Sequence, residues 1–212
     1  ASVWLMWLAA FSIVAASVVA MTKDNLKARL AYSTISQLSY ITLGIALASS
    51  MGALGGAMHV VTHAMGKITL FMCAGSIYVA THKTNISQMT GLGRRMPITF
   101  IAFLIGALSI IGLPPLGGSW SKWLLIIGAA DANELIMIGV LLVSSLLNVA
   151  YLMPLVGRGF FLPTNQEPAK SEVVEGPVLV WMPPALTALG CIVLFFYAGY
   201  IQEFLMPIVR AP

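Results

Sequence analysis

Charged residues are scarce in this chain of 212 residues, and their scarcity is the first constraint on its class. Asp, Glu, Lys and Arg make up 8% of the sequence, whereas they make up about 25% of a soluble domain. Hydrophobic residues make up 59%, and no polar stretch is long enough to form a separate soluble domain. The composition excludes a soluble globular protein and predicts one integral membrane domain over residues 1–212.

Cysteines and cofactor motifs are also scarce. Cys73 and Cys191 both lie in apolar runs, where a free cysteine behaves as a small hydrophobe. The chain has no P-loop, glycine-rich dinucleotide fingerprint, CxxC pair or haem signature. Its net charge of +4 lies mostly in loops, which makes it a topology signal and not a nucleic-acid footprint. We therefore expect no cofactor, no bound metal and no nucleic-acid partner.

Six apolar stretches are long enough to cross a bilayer, whose core needs about 20 helical residues. The predicted spans are 3–21, 31–51, 54–80, 97–130, 135–156 and 178–201. Because Ala1 leads almost directly into the first span, we expect the chain to be a piece of a longer protein.

The stretch 97–130 is too long for one ordinary span, because a single helix of that length would measure roughly 50 Å. Its middle contains Pro114, Pro115, Gly117 and Gly118, which cannot continue a regular helix. Two structures remain possible. Either two short helices form a re-entrant hairpin, or two half-helices form one crossing that is broken near 112–118.

The charges of the loops favour the single broken crossing. In that arrangement all eight loop lysines and arginines fall on one side of the membrane: Lys23, Lys27, Arg29, Lys83, Arg94, Arg95, Arg158 and Lys170. A hairpin would move Arg158 and Lys170 to the other side, against the positive-inside rule. We predict an all-α protein with six crossings, one discontinuous helix, basic loops in the cytoplasm and both ends outside.

Three titratable residues repeat at helical spacing in the third span. His59, His63 and Lys67 are spaced i, i+4 and i+8, so they lie along one stripe of the helix. A charge in hydrocarbon costs roughly 2.5 to 17 kcal/mol, and histidine titrates near neutral pH. The stripe therefore predicts a wet proton relay. Hydrogen bonding to neighbouring helices is the structural alternative; a zinc site lacks a local Cys, Asp or Glu to complete the ligands.

Lys122 follows the predicted break by a few residues. Backbone groups freed by a break at membrane depth are tolerated only beside protein or a water-filled cavity, and transporters place ion sites there. Lys122 is thus a second candidate for proton transfer, unless its side chain extends to the membrane interface.

The second span is polar for a membrane helix and supplies secondary candidates. Ser36 and Gln37 could line a water path, and Lys27 lies at its cytoplasmic entrance. The structural alternatives are a serine bonded to its own helix and a lysine facing solvent or lipid. Asn148, in the fifth span, is predicted to form an interhelical hydrogen bond.

Three motifs occur in an order that resembles one family. They are Asp24–Gln37 (DNLKARLAYSTISQ), His59–Lys67 (HVVTHAMGK) and Gly112–Pro115 (GLPP) followed by Ser121 and Lys122. Together they resemble the antiporter-like subunits of respiratory complex I, membrane-bound hydrogenases and Mrp-type multisubunit cation/proton antiporters. The resemblance covers essentially the whole chain and is greatest to the D-type Mrp subunit.

This resemblance implies a 14-helix subunit with two inverted five-helix repeats. The chain would be the C-terminal part, formed by the second repeat and the last helix, with its broken segment equivalent to helix 12. Lys67, His59 and His63 would form the central relay, and Lys122 the terminal group that exchanges protons with the outside. We expect no residue with a catalytic role in bond-making chemistry.

The function implied is proton translocation in a multisubunit Na⁺/proton antiporter of a bacterial inner membrane, with other membrane subunits as partners. One alternative is the pump subunit of a respiratory complex I (NADH-quinone oxidoreductase) or membrane-bound hydrogenase. Others are a scaffold subunit that transports nothing and a membrane-embedded enzyme.

Overall fold

The computed structural model describes residues 3–162 and 175–209, and these residues are almost entirely helical. The α-helices of the described part are α1 (Val3–Thr22), α2 (Leu26–Ala46), α3 (Ser50–Thr81), α4 (Leu92–Arg95), α5 (Pro97–Ile111), α6 (Gly118–Asp131), α7 (Leu135–Phe160), α8 (Val178–Phe196) and α9 (Ala198–Val209). A short 3-10 helix lies at Ile86–Gln88. The predicted all-α class is confirmed.

The bundle has an apolar outer surface, and its buried polar side chains lie among the apolar clusters of its interior. Four of the described helices, α1, α3, α7 and α8, are long and apolar enough to cross a membrane. Large apolar side chains cover their outer faces, as Trp4 (83% exposed) and Leu179 (80% exposed) illustrate. Serines, Gln37 and Asn148 are buried between helices instead. Lipid favours this arrangement because it offers polar groups no hydrogen bonds, and the chain is a multi-pass membrane protein.

The second helix differs most from its predicted span. It covers Leu26–Ala46, whereas the apolar stretch suggests 31–51. The Asn25 side chain caps its first turn, and the left-handed backbone of Ala48 follows its end. The helix therefore begins before Arg29, which is buried within it. Charge alone would place that residue in a loop.

The helices after the break also differ from their predicted lengths. The helix α7 covers Leu135–Phe160, four residues more than the predicted 135–156. The predicted span 178–201 contains the end of α8 at Phe196 and the start of α9 at Ala198.

The longest helix, α3, lies at the centre of the bundle and contacts α2, α5, α6, α8 and α9. Along α3, the partners follow one another in reverse chain order: Gly52 against Gly128, Gly55 against Leu125, His59 against Ser121, Gly66 against Ile110, and Thr69 against Gly106. Glycine permits the closest of these approaches, because a Cβ on Gly128 would lie 2.3 Å from the backbone nitrogen of Gly52. The half-helices α6 and α5 therefore lie end to end along α3, antiparallel to it.

The interruption between α5 and α6 covers residues 112–117. Gly112 ends α5 in a left-handed conformation, with φ of +93°, which glycine adopts without steric cost. Gly118 begins α6 so near to Ser109 that a Cβ there would lie 1.9 Å from the Ser109 carbonyl oxygen. The glycines thus permit a sharp break between two closely approaching helix ends.

The basic loops meet at one end of the bundle. Backbone hydrogen bonds join the loop after α3 to the chain at the start of α2, through Leu26 to Thr84 and Ile86 to Asp24, and to the last turn of α7, through Gly91 to Arg158. At the other end, the Ser49 hydroxyl before α3 donates to the Gly128 carbonyl near the end of α6, at 2.8 Å. Lys170, which the sequence assigns to the third basic loop, lies outside the described residues.

Candidate functional site

Lys67 is buried in the middle of α3 with 6% of its surface exposed. Its Nζ donates to the Ser33 hydroxyl at 2.7 Å and to the Leu30 carbonyl at 3.0 Å. Both acceptors lie on α2 and both are neutral. An ammonium group held by neutral oxygens can exchange its proton without breaking an ion pair.

The two histidines of the predicted stripe lie one above the other. The His59 and His63 rings stack at 5.7 Å between centroids, and Tyr40 stacks on His59 at 5.3 Å. His59 Nδ1 lies 2.9 Å from the Ser121 hydroxyl, at the start of α6. The buried Nε2 of His59 and Nδ1 of His63 have no hydrogen-bond partner among the described residues.

Lys122 is buried beside the helix break, with 7% of its surface exposed. Its Nζ donates to the Ile111 carbonyl and to the Ser145 hydroxyl, each at 3.0 Å. The same nitrogen lies 5.0 Å from the centre of the Tyr40 ring, within the range of a cation–π contact. The aliphatic stem packs on Gly112, where a Cβ would lie 2.7 Å from Lys122 Cδ. The break thus provides both the room for this side chain and one of its acceptors.

A row of buried polar side chains joins the two lysines. From Lys67, the row passes through the Ser33 hydroxyl to the Tyr151 hydroxyl at 2.8 Å. Tyr151 then bonds the Asn148 amide at 2.5 Å. Sequence reasoning predicted an interhelical bond for Asn148 but missed Ser33 and Tyr151, because serine and tyrosine carry no distinctive spacing. The three-residue interval between Asn148 and Tyr151, on one face of α7, was the available signal.

The Asn148 amide has bonding partners in both of its orientations. In one, its oxygen accepts from Tyr151 and from Gln37, and its nitrogen donates to the Ile110 carbonyl at 3.4 Å. In the other, the oxygen accepts from Lys122 Nζ at 3.0 Å and from Gln37 at 3.2 Å, while the nitrogen donates to Tyr151. The amide therefore lies between Tyr151 and Lys122 and can present either end to each.

The secondary candidates have different positions. Gln37 donates to Asn148 and leaves its buried Oε1 without a partner among the described residues. Ser36 is buried between α1 and α2, where it bonds Ser17 at 2.8 Å. Lys27 is exposed, and its Nζ lies 5.3 Å from the centre of the Tyr78 ring. Of the three, only Gln37 touches the row between the lysines.

The position of Arg29 was also missed, because the sequence counted it among the loop charges. It is buried, with 9% exposed, and its guanidinium donates to the backbone carbonyls of Lys23 at 2.7 Å and Tyr151 at 2.9 Å. These bonds connect α2 to α7 at Tyr151, the residue whose hydroxyl belongs to the row. A buried arginine of this kind positions the row without being part of it.

The predicted break residues lie beside Lys122 and α8. The Gly117 amide donates to the Cys191 carbonyl of α8 at 3.0 Å. Pro114 lines a cavity of about 800 Å³ together with Gly112, Trp120, Lys122 and other mostly apolar side chains. Pro115 lies between α5 and α6, two residues before Gly117. Gly118 packs on Ser109. No three metal-ligating side chains come together within residues 3–162 and 175–209.

Comparison with known sequences places the chain in a family. A family model described as "NADH:quinone oxidoreductase/Mrp antiporter, TM" matches residues 1–148. The chain therefore belongs to this family of antiporter-like membrane subunits, as its motifs suggested.

One curated relative and two solved structures illustrate the similarity. NADH-quinone oxidoreductase subunit N of Desulforudis audaxviator is 34% identical over 198 residues, which are 89% of this chain and 40% of the relative. A chain of respiratory complex I from Thermus thermophilus has a TM-score of 0.85 at 26% identity, covering 98% of this chain and 43% of that one. A chain of the Mrp complex from Dietzia sp. has a TM-score of 0.84 at 22% identity, covering 96% and 46%, and shows the fold alone. The chain thus spans less than half the length of each.

Proposed function

We propose that this chain is the C-terminal part of a proton-translocating subunit, in which Lys67, His59, His63 and Lys122 carry the protons. The main support is the placement of two lysines in the interior of an apolar bundle, each held by neutral acceptors. Buried lysines without carboxylate partners are expensive to keep, and intramembrane ionisable groups commonly serve ion pathways. Here each lysine alternates between a charged and a neutral state.

The histidine stripe is the proposed route between the lysines. His59 Nε2, His63 Nδ1 and Gln37 Oε1 are buried polar atoms without a partner among the described residues. Buried polar groups are normally satisfied by protein or water, so we propose that water molecules bond these atoms. Such waters would connect Lys67 to His63 and His59, and the bond from His59 to Ser121 leads to the residue beside Lys122.

The proposed topology has six crossings, with α5 and α6 forming one broken span. Their end-to-end order along α3 supports one crossing over a hairpin. The meeting of the basic loops at one end supports a cytoplasmic position for that end. We place the protein in a bacterial plasma membrane, as the second repeat and last helix of a 14-helix subunit.

Two assemblies could hold such a subunit, together with other membrane subunits. One is an Mrp-type antiporter that exchanges Na⁺ for protons, the assembly that the motif resemblance suggests. The other is a redox-driven pump, which the name of the 34% identical relative favours. Purifying the native complex separates them: flavin or iron–sulfur proteins that purify with the chain would contradict the antiporter.

Proton flux tests the translocation itself. The full complex is reconstituted into liposomes with Lys67→Met or Lys122→Met, and flux is measured with a trapped pH dye. We expect each substitution to lower flux by about 100-fold or more, the scale of a lost proton-transfer group. Lys83→Met, in the loop after α3, is the matched control and should leave flux unchanged. Normal flux in both Lys67→Met and Lys122→Met complexes would establish a non-transporting scaffold instead.

A further inference from the structure

The geometry points to a second link between the two lysines, distinct from the histidine stripe. We propose that the row Lys67–Ser33–Tyr151–Asn148–Lys122, named here the coupling chain, allows only one of the two lysines to be charged at a time. It does so by the direction in which its hydrogen bonds point. This inference rests on the proposed function, in that it assumes that both lysines change charge.

The coupling chain is continuous and buried. Its four links are 2.7 Å from Lys67 to Ser33, 2.8 Å from Ser33 to Tyr151, 2.5 Å from Tyr151 to Asn148, and 3.0 Å from Asn148 to Lys122. Ser33 and Asn148 are fully buried, and Tyr151 is 1% exposed. Buried polar groups that lose a hydrogen bond pay the full desolvation penalty, so each link should be satisfied in any populated state.

Donor counting fixes the direction of the bonds when Lys67 is charged. An ammonium group can only donate, and a hydroxyl group has one proton to give. Lys67 donates to Ser33, Ser33 to Tyr151, and Tyr151 to the Asn148 oxygen. The Asn148 nitrogen then faces Lys122 and donates to it, which requires the free electron pair of a neutral amine.

The opposite direction is satisfied when Lys122 is charged. Lys122 then donates to the Asn148 oxygen, and the Asn148 nitrogen donates to Tyr151. Tyr151 donates to Ser33, whose proton points to Lys67, and Lys67 must now be the neutral amine. Both amide orientations and both directions of the Ser33–Tyr151 bond fit the observed distances.

With both lysines charged, the coupling chain contains a defect. Ser33 would receive protons from Lys67 and Tyr151, and its own proton would have no acceptor, because among the described contacts its hydroxyl meets only those two groups. Switching between the two satisfied states requires the rotation of two hydroxyls and one amide. No covalent bond in the row is broken, and the protons on the lysines travel by the histidine stripe.

Other titratable and charged groups face the same region. The Tyr40 ring lies by Lys122, His59 stacks on that ring and His63 on His59. Arg29 donates to the backbone carbonyl of Tyr151 and not to its hydroxyl. None of these groups replaces a link of the coupling chain, so a variant that lacks the Tyr151 hydroxyl should interrupt the coupling selectively.

Infrared difference spectra of the assembled full-length complex, recorded during a pH titration, test the inference. The Asn148 amide should give a signal, assigned by its loss in Asn148→Leu. We expect Lys67→Met to move the pH midpoint of this signal by about one unit or more, which is a tenfold change in the equilibrium. The shift would be transmitted through the coupling chain, because Lys67 does not contact Asn148. In a Tyr151→Phe background, the same substitution should move it by less than half as much.

Tyr32→Phe, on α2 outside the coupling chain, is the matched control and should preserve the full shift. If Tyr151→Phe does not assemble, Ser33→Ala opens the chain one link earlier and has the same expected effect. Absence of an Asn148 signal, or an equal shift with and without the Tyr151 hydroxyl, overturns the coupling. This measurement does not depend on proton flux. The spectra can therefore support the coupling even if Lys67→Met leaves flux unchanged, and the flux test can support translocation even if the spectra contradict the coupling.

Discussion

The amine of Lys122 lies 3.0 Å from the carbonyl oxygen of Ile111, the last residue of α5. A carbonyl at the end of a helix lacks the amide partner that the next turn would supply, and helix C-termini favour a positive charge. The helix break and the buried lysine therefore form one structural unit. The break leaves an acceptor at membrane depth, and the lysine occupies it.

The break depends on glycine at position 118. In Gly118→Ala, the new methyl group would lie 1.9 Å from the Ser109 carbonyl oxygen, and the half-helices would have to separate. We expect a loss of about 3 kcal/mol or more in the free energy of unfolding, measured by denaturation of the detergent-solubilised complex.

Gly139→Ala is the matched control for that substitution. Gly139 lies in the interior of α7, and apart from the neighbouring backbone of α7 itself, no heavy atom of the described residues lies within 4 Å of the position that its Cβ would take. Alanine should be neutral or stabilising there by about 0.5–1 kcal/mol, because it restricts the unfolded chain. Equal stability of the Gly118→Ala and Gly139→Ala variants would contradict the close approach at the break.

The histidine stripe can be tested without disturbing its packing. His59→Phe keeps a ring between Tyr40 and His63 but removes the nitrogen that bonds Ser121. We expect proton flux through the reconstituted complex to fall by about 100-fold while the complex still assembles. His82→Asn, after the end of α3 and outside the stripe, should transport normally. Full flux in His59→Phe would remove this histidine from the route.

Periodicity and turn chemistry made much of the site predictable from the sequence. The spacing of His59, His63 and Lys67 places them on one helical face wherever the helix begins, and the Pro114–Pro115 pair interrupts any helix. The predicted family and all-α class are confirmed. The assignments of proton-transfer roles to these residues stay predictions.

The connections between helices were not predictable in the same way. Ser33 and Tyr151 are ordinary residue types, and they bond each other although they lie more than a hundred positions apart in the chain. Arg29 looked like a loop charge, because its backbone acceptors appear only after α2 and α7 pack. Such pairings depend on tertiary contacts, and no local pattern in one sequence encodes them.

The proposed topology predicts opposite accessibility for two exposed positions. Gln88 lies at the end where the basic loops meet, and Ala130 lies at the other end. A single cysteine at Gln88 should react with an impermeant reagent only from the cytoplasm, and one at Ala130 only from outside. The native Cys73 and Cys191 are buried and should stay unlabelled. Labelling of both positions from the same side would contradict the six crossings.

The stability of the contact between the loops after α1 and α3 should depend on pH. The Asp24 carboxylate accepts from the Ser87 hydroxyl at 2.6 Å and from the Ser87 amide at 3.0 Å. These hydrogen bonds hold the pKa of Asp24 below its ordinary value. A carboxyl with a lowered folded-state pKa stabilises the fold above its unfolded-state pKa, and that contribution is lost as the pH falls through the folded-state pKa.

Ser87→Ala should therefore lower the unfolding temperature of the solubilised complex at pH 7. The difference from the unsubstituted complex should shrink in acid, once the carboxyl is protonated in both. A difference that is as large in acid as at neutral pH would show that Ser87 acts independently of the Asp24 charge.

Proton flux through a complex carrying Lys122→Arg is the most direct test of the proposed mechanism. Arginine keeps the positive charge beside the Ile111 carbonyl but does not release its proton at physiological pH. If Lys122 works by cycling between charged and neutral forms, flux should fall by about 100-fold or more in a complex that assembles normally, while Lys83→Arg transports as before. Flux in the Lys122→Arg complex equal to that of the unsubstituted complex would contradict the mechanism, because a fixed charge would then be sufficient.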